Sequence, residues 1–328
     1  MLVTGANGAG KTNLLESLHV GTQGFSPRTR ADQQLVRIGA EAARVALTGD
    51  RDGRPLALEV TLQPQTGKRA KLNGAPLRSA EQLRSEVSTL VFTPDRLAVV
   101  KGGPAARRAY FDRTLGRLLP ARAQLPIDYA AAVGQRNAAL RRVSVGVSTR
   151  DAVAPWTEQV ASLGGSLVES RRVAIDLLAA GFAERAGELG LPAAALDYTG
   201  ESPTVAALEA RLERDLERGV TGLGPHLDDI TIRSGERELR TFGSQGEQRL
   251  AVLSLLLAEA EVLAEQRGTP PLVLLDDVLS ELDAARRRTL AERIGRVGQV
   301  IVTATGAEAL PLEPTQLLEV TPGAVSVR

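Results

Sequence analysis

The stretch Gly5-Ala6-Asn7-Gly8-Ala9-Gly10-Lys11-Thr12 decides the fold of this 328-residue chain. It fits the P-loop pattern G-x-x-x-x-G-K-[ST], in which glycines let backbone N–H groups turn towards phosphate oxygens. A run of apolar residues at helical spacing follows, and we expect Gly21 to end that helix. The positive end of the helix dipole then faces the phosphates. The motif predicts that Lys11 reaches the β- and γ-phosphates and that the Thr12 hydroxyl ligates Mg²⁺. The residues that we predict to bind the nucleotide are Gly5, Ala6, Asn7, Gly8, Ala9, Gly10, Lys11, Thr12 and Asn13.

A second candidate element lies near the other end of the chain, where the apolar run Leu272–Leu275 ends in Asp276 and Asp277. This pattern is typical of a buried strand that delivers acids to the carboxyl edge of a sheet. Asp276 suits a direct or outer-sphere role towards Mg²⁺, and Asp277 suits polarising an attacking water. Alone, such a pair is a common strand ending. Together with the P-loop it predicts phosphoryl transfer, in which the protein positions groups, neutralises charge and orients water.

A third element, Phe242–Arg249, places Ser244 and Gly246 at the start of a strongly apolar helix. Small residues at a helix N-terminus form a second surface that can hold a phosphate. Because one ATPase head needs a single such surface, we predict that this one serves the nucleotide of a partner subunit. The alternative is a simple N-cap at Ser244.

The order of the remaining patterns predicts the fold class. Residues 43–72 indicate a β-meander followed by a tight turn at Asn73-Gly74, and residues 90–92 indicate a short strand. Residues 104–220 are mostly helical in pattern. Strand and helix patterns then alternate, at 230–232, 246–266, 272–275, 284–295 and 300–302. We therefore predict an α/β fold with a largely parallel sheet. The P-loop, the Ser244 stretch and the double acid together resemble a P-loop ABC-type ATPase head. Its first part spans residues 1–98, an inserted helical lobe spans 99–223, and its second part spans 224–328.

Composition excludes several classes of protein. Charged residues make up 24% and apolar residues 43%, as in ordinary globular domains. The chain has no cysteine, which excludes a disulfide scaffold, thiolate-bound metals and a thiol nucleophile. No apolar run is long enough to span a membrane, and the N-terminus lacks a signal pattern. We therefore expect a cytoplasmic protein with no membrane partner.

Charge is concentrated in residues 101–150, which carry ten basic and two acidic side chains, whereas the whole chain has a net charge of +1. Such a block can bind a polyanion or can simply form a solvated helical surface. The DNA-contacting residues that we predict are Arg107, Arg108, Arg136, Arg141 and Arg142. For Arg107 and Arg108 the alternative is support of the lobe through Asp112. Contacts to phosphates predict DNA binding that is largely independent of sequence and sensitive to salt.

Five stretches in the same order resemble the RecF family within the ABC-type ATPases. The stretches are Gly8–Glu16, Phe92–Leu97 with Arg107–Asp112, Gly224–Asp229, Ser244–Arg249, and Leu274–Asp283, which ends in the D-loop-like Ser280–Asp283. The resemblance implies ATP and Mg²⁺ as cofactors and a homodimer with ATP between the heads. Lys11, Thr12 and Asp276 then serve ATP and Mg²⁺, Asp277 serves hydrolysis, and Ser244 contacts ATP of the second subunit.

The resemblance also implies a role in recombinational repair and replication-gap processing, with a link to the SOS response. Members of the family bind single- and double-stranded DNA and help RecR and RecO place RecA on gapped DNA. The resemblance further implies a weak, DNA-stimulated ATPase whose slow turnover separates the dimer. In the Gly224–Asp229 stretch, we predict a structural role for His226, and Phe92–Asp95 falls in the Q-loop region.

Three departures from the family keep other functions open. The family has further residues, including its first strands, before the P-loop, whereas four residues precede Gly5 here. We expect either an upstream start or a truncated head with an exposed sheet edge and low stability. Glu247 stands where Gln is usual, and its charge is unfavourable near a phosphate unless it points away. Thr303-Ala304-Thr305 stands where other ABC heads have a switch histidine, and the pattern does not choose between Thr303 and Thr305.

These departures motivate two rival functions. One is a non-hydrolysing scaffold for DNA or partners with a degenerate head. The other is a different SMC-like ABC ATPase, such as a chromosome-organising one, which the short insertion disfavours.

Overall fold

The computed structural model describes residues 1–29, 31–51, 53–64 and 67–328. The strands are β1 (Leu2–Thr4), β2 (Ala43–Arg51), β3 (Arg54–Gln63), β4 (Gly67–Leu72), β5 (Ala75–Pro76), β6 (Thr89–Phe92), β7 (Ala194–Tyr198), β8 (Ile230–Ser234), β9 (Arg237–Glu238), β10 (Leu272–Leu275), β11 (Val300–Ala304), β12 (Leu317–Thr321) and β13 (Ala324–Val327). The helices are α1 (Lys11–Gln23), α2 (Ala80–Glu86), α3 (Ala98–Lys101), α4 (Pro104–Leu118), α5 (Leu125–Ser144), α6 (Ala154–Glu188), α7 (Val205–Glu209), α8 (Leu212–Arg218), α9 (Leu239–Phe242), α10 (Gln245–Arg267) and α11 (Ala284–Ile294).

The chain divides into two compact units. The first combines Met1–Arg96 with Leu263–Arg328, and the second is Leu97–Val262. The predicted lobe, 99–223, lies inside the second unit, which also contains residues 224–262. The assignment of 224–328 to the second part of a head therefore stays a prediction.

The first unit is built on a six-stranded sheet in the order β13-β12-β1-β11-β10-β6. All its neighbours pair in parallel except β12 and β13. Val3 of β1, Leu274 of β10 and Ile301 of β11 are buried in its core. The carboxyl ends of parallel strands meet at one edge of a sheet. The P-loop after β1, Asp276 after β10 and Thr303 near the end of β11 therefore lie at the same edge. The predicted α/β class is confirmed.

Helix α1 continues past the residue at which we expected it to end. It runs to Gln23, and Gly24 takes the left-handed C-cap conformation with φ 75°. Gly21 instead lies inside the helix, where a Cβ would come within 2.6 Å of the Leu47 side chain. The expected end at Gly21 is therefore wrong, since this glycine serves the close approach of β2 to the helix.

The predicted meander is present as an antiparallel sheet in the order β2-β3-β4-β5. Leu58, Val60 and Leu62 of β3 form the centre of its buried face. Asn73 and Gly74 have φ values of 48° and 82°, the two positive values that a two-residue hairpin turn requires. Asp52, Gln65 and Thr66, which fall within the predicted meander, lie outside the described residues.

The second unit is mainly helical, with a core between α4, α5 and α6 that includes Leu115, Tyr129 and Leu167. The strand expected at 230–232 is present as β8, but it pairs antiparallel with β7 and β9 in a separate three-stranded sheet. Our expectation that it belonged to the parallel sheet is therefore wrong. In the described part of the chain, no helix is long and apolar enough to cross a bilayer.

Candidate functional site

The P-loop connects β1 to α1 and depends on glycine at its turns. Gly5, Gly8 and Gly10 have φ values of 154°, 81° and 110°, which side chains other than glycine rarely adopt. A Cβ on Gly5 would lie 2.4 Å from the backbone oxygen of Val320, whereas the space beside Gly8 is open. The loop therefore packs against β12 at Gly5 and has open space beside Gly8.

The first turn of α1 lacks a side-chain cap among the described residues. Gly10 occupies the N-cap position, no side chain caps the helix, and its first turn has no acidic residue. The Lys11 ammonium folds back over the loop and donates to the carbonyl oxygens of Gly5 and Ala6, at 2.7 and 3.0 Å. Backbone donors, a helix dipole and one cation therefore act together at this turn, and this arrangement suits a phosphate.

A chain of hydrogen bonds joins the P-loop to the two acids. The Thr12 hydroxyl donates to Asp276 Oδ2 at 2.9 Å, and the Thr303 hydroxyl donates to Asp276 Oδ1 at 2.8 Å. The backbone N–H of Asp277 donates to the Thr303 hydroxyl at 2.9 Å. Thr303 near the end of β11, the acids after β10 and Thr12 in the helix after β1 thus meet at the carboxyl edge of one sheet.

The two acids differ in their surroundings. Asp276 is buried, whereas the side chain of Asp277 is exposed. Asp277 also has a left-handed backbone with φ 50°, which is uncommon outside glycine, although aspartate adopts it more readily than most residues. One carboxylate is therefore fixed inside the edge of the sheet, and the other is presented to solvent.

The donor set fits a magnesium nucleotide. Mg²⁺ prefers hard oxygen ligands, and the Thr12 hydroxyl and the Asp276 carboxylate supply two adjacent oxygens next to the phosphate-binding turn. The residues that would hold the nucleotide and the metal are Lys11, Thr12 and Asp276, with the backbone of the loop.

The neighbouring strands complete this edge of the sheet. The Asp276 N–H donates to the Phe92 carbonyl at 3.0 Å, so the predicted Q-loop stretch begins beside the acids. In the D-loop-like stretch, the Ser280 hydroxyl donates to the Asp277 carbonyl at 3.2 Å and Asp283 caps α11. Thr305 lies beyond the end of β11 and is exposed. Of the two candidate switch residues, the structure brings Thr303 to the acids.

The start of α10, in the second unit, is a reciprocal capping box. The Ser244 hydroxyl accepts from the Glu247 N–H at 3.2 Å, and the Glu247 carboxylate accepts from the Ser244 N–H at 2.8 Å. Arg237 donates to the same carboxylate at 2.9 Å. The hydrogen bond from the Ser244 N–H, and then that from Arg237, lower the pKa of Glu247. Ser244 therefore is an N-cap, the alternative left open by the sequence, and Glu247 turns back onto its own helix.

Two of the arginines predicted to contact DNA are buried in ion pairs. Arg107, 1% exposed, makes two hydrogen bonds of 2.6 Å to the Asp229 carboxylate. Arg136, fully buried, donates to Asp215 at 2.7 Å and to the Thr157 hydroxyl at 3.0 Å. Because neither guanidinium reaches the surface, the structure contradicts both assignments.

The remaining three arginines differ in exposure. Arg108 is half-buried, donates to the Asp228 carbonyl at 2.6 Å, and has its pKa lowered by burial. Arg141 and Arg142 are exposed at the end of α5. Their contact with DNA stays a prediction.

The Gly224–Asp229 stretch organises polar contacts within the second unit. Burial raises the pKa of Asp229, but the hydrogen bonds from Arg107 outweigh it, so the net shift is downward. Asp112, the partner named in the alternative for Arg107 and Arg108, binds Arg171 instead, at 2.7 Å. His226 lies 2.7 Å from the Tyr129 hydroxyl and 2.9 Å from the Thr221 carbonyl, and burial lowers its pKa. These contacts suit the structural role expected for this histidine.

Comparison with known sequences identifies relatives over nearly the whole chain. The family described as "RecF/RecN/SMC N terminal domain" matches residues 1–323. The "DNA replication and repair protein RecF" of Desulfitobacterium hafniense is 35% identical over 338 residues, covering 99% of this chain and 92% of the relative. The protein of the same description from Heliobacterium modesticaldum is 36% identical over 333 residues, covering 96% and 88%.

Solved structures give the same neighbours. The "recombination mediator protein RecF-ATP in RecFOR pathway" matches with a TM-score of 0.87 and 26% identity, covering all of this chain and 91% of the other. A corresponding structure, described with "ATPrS", also has a TM-score of 0.87 and 26% identity, with 99% and 91% covered. An "SmcHead" structure, 17% identical with a TM-score of 0.58, covers all of this chain and 88% of the other and is similar in fold.

Proposed function

This chain belongs to the RecF family, and on that premise we propose that it is an ATP-dependent DNA-binding protein of recombinational repair and replication-gap processing. As a member of this family, the chain is a RecF-like DNA replication and repair protein. The observation that carries the ATP-dependent part of the proposal is the hydrogen-bonded chain of Thr12, Asp276, Thr303 and Asp277 beside the open P-loop. The names of similar RecF structures mention ATP, which supports the same cofactor here.

The site residues take separate roles in this proposal. Bound ATP with Mg²⁺ supplies a phosphoryl group that can be transferred to water. The P-loop amides and Lys11 bind phosphate oxygens, while Thr12 and Asp276 hold the metal. Asp277, exposed beside them, orients the attacking water and accepts its proton.

We further propose that ATP joins two copies of this chain. Ser244 and Gly246 are exposed at the start of α10, which leaves them accessible to the nucleotide of a second copy. Slow, DNA-stimulated hydrolysis then separates the dimer. RecR and RecO are the partners that this function implies, with RecA loading on gapped DNA as its outcome.

Light scattering of the purified chain with Mg²⁺ and ATP tests this proposal. We expect the mass to double with ATP, and both Lys11→Ala and Ser244→Arg to abolish the doubling, since each removes one half of a shared site. Lys101→Ala and Ser202→Arg, at exposed positions elsewhere, are matched controls that should still dimerise. A monomer under every condition would refute the ATP-gated dimer and favour the non-hydrolysing scaffold.

DNA binding is tested separately at the two exposed arginines of α5. If Arg141 and Arg142 each neutralise a phosphate, the Arg141→Gln/Arg142→Gln double variant should bind all sequences more weakly. The slope of log affinity against log salt should then become shallower by about 0.9 for each phosphate that is no longer neutralised. Arg288→Gln/Arg296→Gln removes the same charge from exposed positions in the first unit and is the control. Equal salt slopes for the two double variants would show that Arg141 and Arg142 do not contact DNA phosphates.

A further inference from the structure

Thr303 has been given no role in the function proposed above. It is the fourth residue of β11, it is fully buried, and its hydroxyl lies between the two acids. The hydroxyl hydrogen is donated to Asp276 Oδ1, and a lone pair of the same oxygen accepts the Asp277 N–H. One side-chain oxygen therefore bonds both the side chain of the first acid and the backbone of the second.

The bond to Asp277 acts on an unusual backbone. A non-glycine residue with φ near 50° is in a disfavoured conformation, so surrounding bonds must hold it. The Thr303 hydroxyl supplies such a bond at the N–H of this residue. It thereby helps to fix the direction in which the Asp277 side chain leaves the strand.

The bond to Asp276 acts on the orientation of a carboxylate. Thr12 donates to Oδ2 at 2.9 Å and Thr303 donates to Oδ1 at 2.8 Å, so each oxygen is held by a hydroxyl. Two donors on opposite oxygens fix the plane of the carboxylate. Partners that orient a metal ligand in this way commonly change metal affinity or activity about 10- to 100-fold when removed.

We propose that Thr303 is a positioning residue that couples the metal-binding acid to the water-orienting acid, an inference that rests on the proposed ATPase function. Its hydroxyl sets the carboxylate plane of Asp276 and the backbone of Asp277 together. Thr305, the other candidate, is exposed beyond the end of the strand.

Thr303→Val and Thr303→Ser separate this role from packing. Valine keeps the shape of the side chain and removes both hydrogen bonds, whereas serine keeps the hydroxyl. Thr89→Val is the matched control, because Thr89 is buried in β6 of the same sheet and its hydroxyl bonds Thr22 at 2.8 Å, away from the acids. Both valine variants lose a buried hydroxyl, so a general loss of stability should affect them alike.

Three measurements give the expected result. In the nucleotide-free protein, amide exchange at Asp277 should become faster in Thr303→Val and stay slow in Thr303→Ser and Thr89→Val. The Mg²⁺ concentration at half-maximal binding of a fluorescent ATP analogue should rise about 10-fold or more in Thr303→Val alone. In the same variant kcat should fall about 10- to 100-fold, with a smaller change in KM, and serine should restore most of it.

The first two measurements do not need turnover, so they separate this inference from the proposed function. If the wild type binds the analogue but does not hydrolyse ATP, hydrolysis fails while exchange and the Mg²⁺ midpoint still decide the role of Thr303. Unchanged exchange and an unchanged midpoint in Thr303→Val would overturn the inference. It would also be overturned if Thr303→Ser behaved like Thr303→Val, or if Thr89→Val shifted the midpoint equally.

Discussion

Two helix starts in this chain, those of α1 and α10, carry the two predicted phosphate-binding surfaces and are built in opposite ways. Helix α1 begins after Gly10 without a side-chain cap from the residues that the structure describes, and its first turn contains no acid. Helix α10 begins with Ser244 and Glu247, which cap each other. A cap stabilises a helix by satisfying its first amides, but it also occupies the position of an anion. The start of α1, which we call the open start, is therefore suited to a ligand. At the start of α10, which we call the closed start, a ligand has to compete with a carboxylate.

The largest expected difference between the two helix starts is the loss of stability when a glycine is replaced by alanine. Gly5→Ala places a Cβ 2.4 Å from the Val320 oxygen, in a backbone that disfavours side chains. We expect it to lower the free energy of unfolding of the first unit by about 3 kcal/mol or more. In Gly246→Ala the new Cβ meets nothing closer than 3.9 Å, so the variant should be as stable as the wild type or slightly more stable.

Urea unfolding of both variants, followed by circular dichroism, measures this contrast. Gly8→Ala is an intermediate case, since its φ of 81° is unfavourable while its surroundings are open, and about 1 kcal/mol is expected. Equal losses for Gly5→Ala and Gly246→Ala would show that the two turns impose the same constraint, against the contrast described above.

The sequence predicted the open start well because its signal is local. The P-loop spacing, the apolar strand before Asp276 and the Asn73-Gly74 turn each depend on a few adjacent residues, and all three appear as predicted. The helix end at Gly21 was predicted from the same kind of signal and was wrong. A helical glycine that makes room for the Leu47 side chain of β2 cannot be distinguished from a helix terminator by local sequence pattern.

Pairings between distant segments could not be predicted. The sequence pattern suggested Asp112 as the partner of the basic pair, but Asp229 binds Arg107 across the fold of the second unit. Burial of Arg136 was missed for the same reason, since its partner Asp215 comes from another helix. Strands β12 and β13 were not predicted, although β12 supplies the Val320 oxygen against which Gly5 packs. The sequence named Thr303 only as one of two candidate switch residues, because a threonine at the end of a strand gives no sign that it will hold two acids.

The next largest effect is expected when the Ser244 cap is removed from the start of α10, and it tests whether the stability of that start depends on the cap. Ser244→Ala removes the oxygen that accepts the Glu247 N–H, so it should lower stability by about 1 kcal/mol. Ser202→Ala is the control, because this exposed serine lies in a loop before α7. Urea unfolding gives the difference. If both serine variants matched the wild type, the capping box would contribute nothing, and the two helix starts would differ in sequence but not in energy.

The smallest expected effect is the pH dependence that Glu247 confers on the closed start, for which the first turn of α1 has no counterpart. The Ser244 N–H and Arg237 lower the pKa of Glu247 in the folded chain. A lowered folded pKa means that the stabilisation is present above the unfolded value of about 4.3 and disappears as pH falls through the folded value. The stability difference between wild type and Glu247→Gln should therefore be positive at pH 7 and shrink below about pH 4.3.

Since Gln can still cap the helix, the stability difference isolates the effect of the Glu247 charge. Arg237→Gln should reduce this difference, because it removes one of the two groups that bind the Glu247 carboxylate. Parallel stability curves from pH 7 to 3 would mean that the carboxylate is not bound to its helix in solution, and the start of α10 would then be as open to a phosphate as that of α1.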